Sequence, residues 1–124
     1  MRAWALAACL VCLPAAGQDA KSDVREARAY RNGTGVAVDK ARAVRLFERA
    51  AQAGDADAAF LLSSMLRVGE GVDRDPAAAA RWLQRAADAE SPEALQQLAM
   101  EEPDPARAAQ LFKEAAHALT HQLR

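Results

Sequence analysis

Gly33-Thr34-Gly35-Val36, followed three residues later by Asp39, returns 36 residues on as Gly69-Glu70-Gly71-Val72 and Asp75. The same offset carries Ala43 onto Ala79, Leu46 onto Trp82, Phe47 onto Leu83, Arg49 onto Arg85, Ala50-Ala51 onto Ala86-Ala87 and Ala58 onto Ala94. So many coincidences at one spacing make the chain an array of like units. A unit of this length is one supersecondary element that cannot bury its apolar face alone, so stacking must supply the core. A third copy is shortened. Asp104-Pro105, Ala109, Leu111-Phe112 and Ala115-Ala116 repeat Asp75-Pro76, Ala80, Trp82-Leu83 and Ala86-Ala87 at an offset of 29. Seven residues are missing after Leu98, and the glycine loop has gone with them.

The units read as pairs of helices. Alanine, the best helix former and a poor strand former, supplies 33 of the 124 residues. Asp39, Asp55, Asp75, Ser91 and Asp104 stand where N-caps are needed, and Pro76, Pro92 and Pro105 follow at the first helical position. Asp23 with Glu26 reads as a capping box opening the first helix. Gly33, Gly54 and Gly69 follow helical runs, as left-handed C-terminal residues do. The expected helices are 23–32, 39–53, 55–68, 75–89, 91–101 and 104–121. Ala43, Leu46, Phe47, Ala50 and Ala51 share one face, as do Ala79, Trp82, Leu83, Ala86 and Ala87. Trp82 is expected largely buried between helices, with Leu46 and Leu111 in equivalent slots. The fold class is all-α, an α-solenoid of antiparallel helix pairs with about two and a half repeats, at 22–57, 58–93 and a shortened 94–124.

Residues 1–17 have the pattern of a cleaved secretory signal: Arg2, the uncharged run Ala3–Leu13, Pro14, and then Ala15-Ala16-Gly17 with small residues at the cleavage site. The run is too short to span a bilayer. The repeat domain then covers 18–124, with Gln18 first. Both cysteines, Cys9 and Cys12, fall within the leader, so the mature chain holds no disulfide, thiolate metal site or cysteine nucleophile. Too few residues precede Cys9 for a lipid anchor to be expected there. The expected location is periplasmic or extracellular, with no membrane span once the leader is removed.

Leu62, Leu66, Gly69-x-Gly71-Val72-x-x-Asp75, Ala79, Trp82, Ala86-Ala87, Ala94 and Leu98 resemble the Sel-1-like repeat, an α-solenoid class related to tetratricopeptide repeats. Gly33, Gly35 and Val36 carry the motif in the first copy. The likeness covers most of residues 24–118. The chain departs from the family pattern in three ways. Ser63 and Ala27 replace a glycine at a close helix contact, Glu26 stands where the second copy has Leu62, and the third copy lacks its loop. The resemblance implies a protein- or peptide-binding scaffold, and for an exported bacterial member a place in an envelope or signalling assembly.

The residues offer little chemistry. None of Ser22, Ser63, Ser64 and Ser91 lies in a Gly-x-Ser-x-Gly turn. His117 and His121, with Glu114, could offer ligands to zinc, but they read as a solvated terminal helix without further ligands. Gly33-x-Gly35 and Gly69-x-Gly71 follow helices rather than strands and lack the Gly-Lys-Ser/Thr ending, so they are turns rather than phosphate loops. The formal charge of −1 gives no basic surplus for nucleic acid. No catalytic residue, cofactor or metal is expected; the alternative class is a small envelope hydrolase acting on cell-wall or β-lactam-like substrates. Arg25, Arg28 and Arg31, like Arg42, Arg45 and Arg49, recur at helical spacing. They read as solvated faces or as a seat for an acidic partner. Phe60, Leu61, Ser64 and Met65 lie off the Leu62, Leu66 stripe and mark a partner groove, unless they pack against a neighbouring helix. Leu111, Phe112, Leu119 and Leu123 carry an apolar stripe along the last helix, where self-association is expected.

Overall fold

The computed structural model describes residues 16–124, and these form six helices: α1 (Ala16–Asn32), α2 (Lys40–Gln52), α3 (Ala56–Val68), α4 (Pro76–Asp88), α5 (Pro92–Glu101) and α6 (Pro105–Gln122). The chain is an all-α solenoid. Each helix packs chiefly on the one before and the one after it in sequence. Three antiparallel pairs, α1–α2, α3–α4 and α5–α6, therefore stack in order.

Local chemistry sets the helix starts. Asp39, Asp55 and Asp75 accept from the backbone N–H three residues on at 3.0, 2.8 and 3.0 Å. Ser91 accepts from Ala94 at 3.3 Å, and Asp104 accepts from Ala106 at 3.0 Å. Pro76, Pro92 and Pro105 open their helices, where a missing N–H costs nothing.

The loops repeat as faithfully as the helices. Gly33 and Thr34 donate to Ala29 O, and Asp39 donates to Tyr30 O; Gly69 and Glu70 donate to Met65 O, and Asp75 donates to Leu66 O. Between pairs, Gly54 and Asp55 donate to Ala51 O and Ala50 O, as Glu90 and Ser91 donate to Ala87 O and Ala86 O. The twin alanines thus hold the turn and also fill the inter-helix contact. Ala50 and Ala86 are fully buried, and Ala51 and Ala87 nearly so.

The core is built from few large side chains. Phe47, Leu62, Met65 and Leu83 are fully enclosed, among alanines that let helix axes approach closely. Ser63, the small residue in place of the family glycine, is also fully buried and donates to Phe60 O at 2.7 Å. Ala27 is buried in the matching place on α1.

Three expectations need correction. The first helix is already formed at Ala16, well before Asp23, so Asp23 caps nothing. It lies mid-helix, almost fully buried, and Arg49 of α2 donates to both its oxygens at 2.6 and 2.7 Å. That pairing raises the Arg49 pKa further, chiefly through the hydrogen bonds to Asp23 and then through its charge. Trp82 is only half-buried, with Arg85 stacked 4.6 Å from its ring centroid; Leu46 and Leu111 are half-buried too. The enclosed slot is the next position, filled by Phe47 and Leu83. Finally, Met65 is core rather than surface. Most of the expected leader, residues 1–15, lies outside the described residues; Ala16 and Gly17 lie within α1.

Candidate interaction surface

The first helices of the three pairs share a face. Asp57 on α3 feels the charge of Glu93 on α5 and of Arg28 on α1, which brings three helices to one electrostatic neighbourhood. Its carboxyl is raised above the ordinary value of 3.8, first by partial burial and then by Asp55 and Glu93, against the opposing pull of Arg28. The 36-residue offset accounts for the shared face. It carries Asp57 onto Glu93, Phe60 onto Gln96, Leu61 onto Gln97 and Ser64 onto Met100, and carries Leu61 and Ser64 back onto Arg25 and Arg28.

A groove of about 610 Å³ runs between α3 and α5, lined by Phe60, Arg67, Glu93, Gln96, Gln97, Met100 and Glu101. Phe60 is half-buried and forms an apolar patch of its wall, whereas Met100 is 75% exposed. Arg67 spans the groove to Glu101 at 3.2 Å. Of the residues singled out from sequence, Phe60 lines the groove. Leu61 and Ser64 are half-buried beside it, with Ser64 donating to Phe60 O at 3.2 Å. Arg25 and Arg28 are exposed on α1. Met65 is fully buried among the core residues and takes no part. Gln96, Gln97 and Met100 were missed, although adding 36 to Phe60, Leu61 and Ser64 finds them.

The remaining arginines divide between roles. Arg31 donates to both carboxylate oxygens of Glu70 at 3.0 and 3.1 Å, and Lys40 lies 3.5 Å from the same group. Hydrogen bonding from Arg31 holds the Glu70 carboxyl below its ordinary value of 4.5 despite some desolvation. Arg42 stacks 4.6 Å over Tyr30 and lies 3.9 Å from Glu26. Arg31 and Lys40 thus tie the first pair to the second through Glu70, and Arg42 ties α2 to α1 within the first pair, rather than awaiting a partner.

His117 and His121 stand with ring centroids 4.6 Å apart on the exposed side of α6. His117 and Glu114 border a cleft of about 450 Å³ with Glu90, Lys113 and Leu95. Among the described residues no three such groups converge as metal ligands, and no helix is long and apolar enough to cross a membrane.

The family model for the Sel1 repeat matches residues 16–55, 56–91 and 93–118. The chain belongs to the Sel1 repeat family. Among solved structures, it is similar to a Sel1 repeat protein from Oxalobacter formigenes, with a TM-score of 0.71 and 25% identity over 82% of this chain and 45% of that one. It is also similar to a protective antigen present in uropathogenic Escherichia coli strains that displays an SLR fold, with a TM-score of 0.71 and 27% identity over 82% of this chain and 24% of that one. The Sel1 chain described here thus spans less than half the length of either. A search of curated proteins found no match. Sel1 repeats are generally protein-interaction scaffolds, and the fold is typically non-enzymatic.

Proposed function

We propose that this Sel1 chain is a non-catalytic scaffold of the bacterial cell envelope that binds a protein or peptide along the shared face of α1, α3 and α5. The groove between α3 and α5 carries the reading. It joins an apolar wall at Phe60 to a polar rim of Gln96 and Gln97 in one open concavity. The face also runs from basic at Lys21, Arg25 and Arg28 on α1 to acidic at Glu93 and Glu101 on α5. A peptide with an acidic end over α1 and a basic end over α5 complements it. The envelope location rests on the leader pattern of residues 1–17. Secretion is checked by sequencing the N-terminus of the product, which should start at Gln18; Met1 retained on a soluble cytoplasmic product contradicts it.

A photo-activated cross-linking residue placed at Gln97 in the native cell tests the binding face, with Gln84 on the exposed side of α4 as the control position. Discrete adducts from Gln97, lost when Phe60→Arg is added, support the face. Adducts from Gln84 alone, or none from either, reject it.

A further inference from the structure

The second helices of the three pairs offer a comparison within one molecule. Phe47, Leu83 and Phe112 hold the same position on α2, α4 and α6. Their exposures are 0%, 1% and 44%. Ala51 and Ala87 are buried, whereas their counterpart Ala116 is exposed. On α2 and α4 this face is covered by the next first helix, α3 or α5. On α6 it continues as a stripe of Ala109, Phe112, Ala116, Leu119 and Leu123, all exposed, with Leu119 at 49% and Leu123 at 80%. The intervals are 3, 4, 3 and 4 residues, the spacing of a two-helix seam. A separate inner stripe of Ala108, Leu111, Ala115 and Ala118 serves the intramolecular packing.

We infer that α6 is a dimerisation helix, and that its occupant is the α6 of a second copy of this chain, crossing antiparallel about Ala116. Two observations choose this arrangement. The first excludes head-to-tail growth. In a stacked array the helix covering α6 presents the positions of Ala58 and Leu62, or Ala94 and Leu98. On α1 these positions are Ser22 and Glu26, both exposed and polar, with Glu26 engaged by Arg42. Covering Phe112 with α1 of another copy would desolvate Glu26 for an apolar neighbour. The second is self-complementarity. A twofold axis at Ala116 seats Phe112 of one copy beside Leu119 of the other, and Ala109 beside Leu123, with the small central residue permitting close approach. Lys113 is the one charged residue next to the stripe among its Lys113, Thr120 and Gln122 flank, so like charges do not meet across the axis. A patch this narrow falls in the class of small, reversible interfaces, so association should rise with concentration.

The test is sedimentation velocity of the full chain from about one micromolar to about one millimolar, the range in which a weak interface fills. The expected result is a reversible monomer–dimer equilibrium. The variant combining Phe112→Glu and Leu119→Glu should stay monomeric throughout, as should the variant combining Phe112→Lys and Leu119→Lys. Both should keep the wild-type helical spectrum, since these positions are exposed in one copy. An equimolar mixture of the two should recover the dimer through opposite charges. Wild-type chain that stays monomeric to the highest concentration overturns the proposal. So does open-ended growth, association that persists in the glutamate variant, or a mixture that fails to pair.

Discussion

Gly71 and Gly35 occupy equivalent points of successive loops, with φ of +71° and +74°. An added methyl group at either meets the left-handed penalty of about 1–2 kcal/mol. Their surroundings differ. A Cβ at Gly71 would lie 2.5 Å from the carbonyl carbon of Lys40, at the head of α2, whereas Gly35 faces open space. Gly35→Ala should therefore lower unfolding free energy by about 1–2 kcal/mol, and Gly71→Ala by at least about twice that. Equal losses in urea titration would mean the loop is not seated on α2. Glu70 beside it makes that seat pH-dependent. Its folded pKa lies below the ordinary 4.5, so as pH falls the unfolded chain takes up the proton first. Its stabilisation is complete above about 4.5 and is lost as pH drops through the folded value. Glu70→Gln should be less stable at neutral pH and should lose less on acidification than the parent. A parallel acid profile for the two proteins would contradict this.

Along a single helix, neighbouring side chains point about 100° apart, and that angle decides between Trp82 and Leu83. Leu83 faces the enclosed slot and Trp82 its half-open edge. Leu83→Ala should cost about 2–5 kcal/mol, in the range of a buried leucine, and Phe47→Ala about 3–5. Trp82→Ala should cost less than either despite removing more atoms, because the indole keeps part of its surface in water and a cation on its face. Thermal or urea unfolding of the three variants gives the order, and Trp82→Ala as the costliest would reverse the packing described. The glycine, proline and cap positions that bound α2 to α6 were readable in the chain because each has a local mechanism. Asp23 was not, because an aspartate before a helical run looks the same whether it caps that run or binds an arginine 26 residues away. Phe60 stood out as an apolar residue off the main stripe, but Gln96 and Gln97 carry no hydrophobic signal and emerge only from the repeat offset.

Across the whole molecule, stability should be graded rather than uniform. α3 has neighbours on both sides and buries six residues, including Leu62, Met65 and Leu66; α6 buries only Ala115 and Ala118. In a stacked array the end units open first. Amide hydrogen exchange at low micromolar concentration should find α3 the slowest helix and α6 the fastest of the last four. Protection in α6 matching that of α3 would show that its single-sided packing suffices. The array itself was legible from the period alone. Which end is closed and which open was legible only in part. Glu26 marks α1 as polar in the sequence, but the exposure of Phe112 depends on what covers it in three dimensions.

The stacking of each helix on its chain neighbours also has a consequence in time. No packed pair has to wait for a distant segment to diffuse back, because every connection closes a short loop. Chains dominated by such contacts fold in microseconds to milliseconds, whereas a ribosome adds about 5–20 residues per second. In a chain delivered N-terminus first across the membrane, the α1–α2 pair therefore has ample time to settle before α4 emerges, and the earlier helices before α6. The open stripe on α6 is then the last part of the molecule to form, and it emerges onto a body already folded. Stopped-flow refolding should be complete within milliseconds in dilute solution; a dominant phase lasting seconds would show that assembly does not proceed locally.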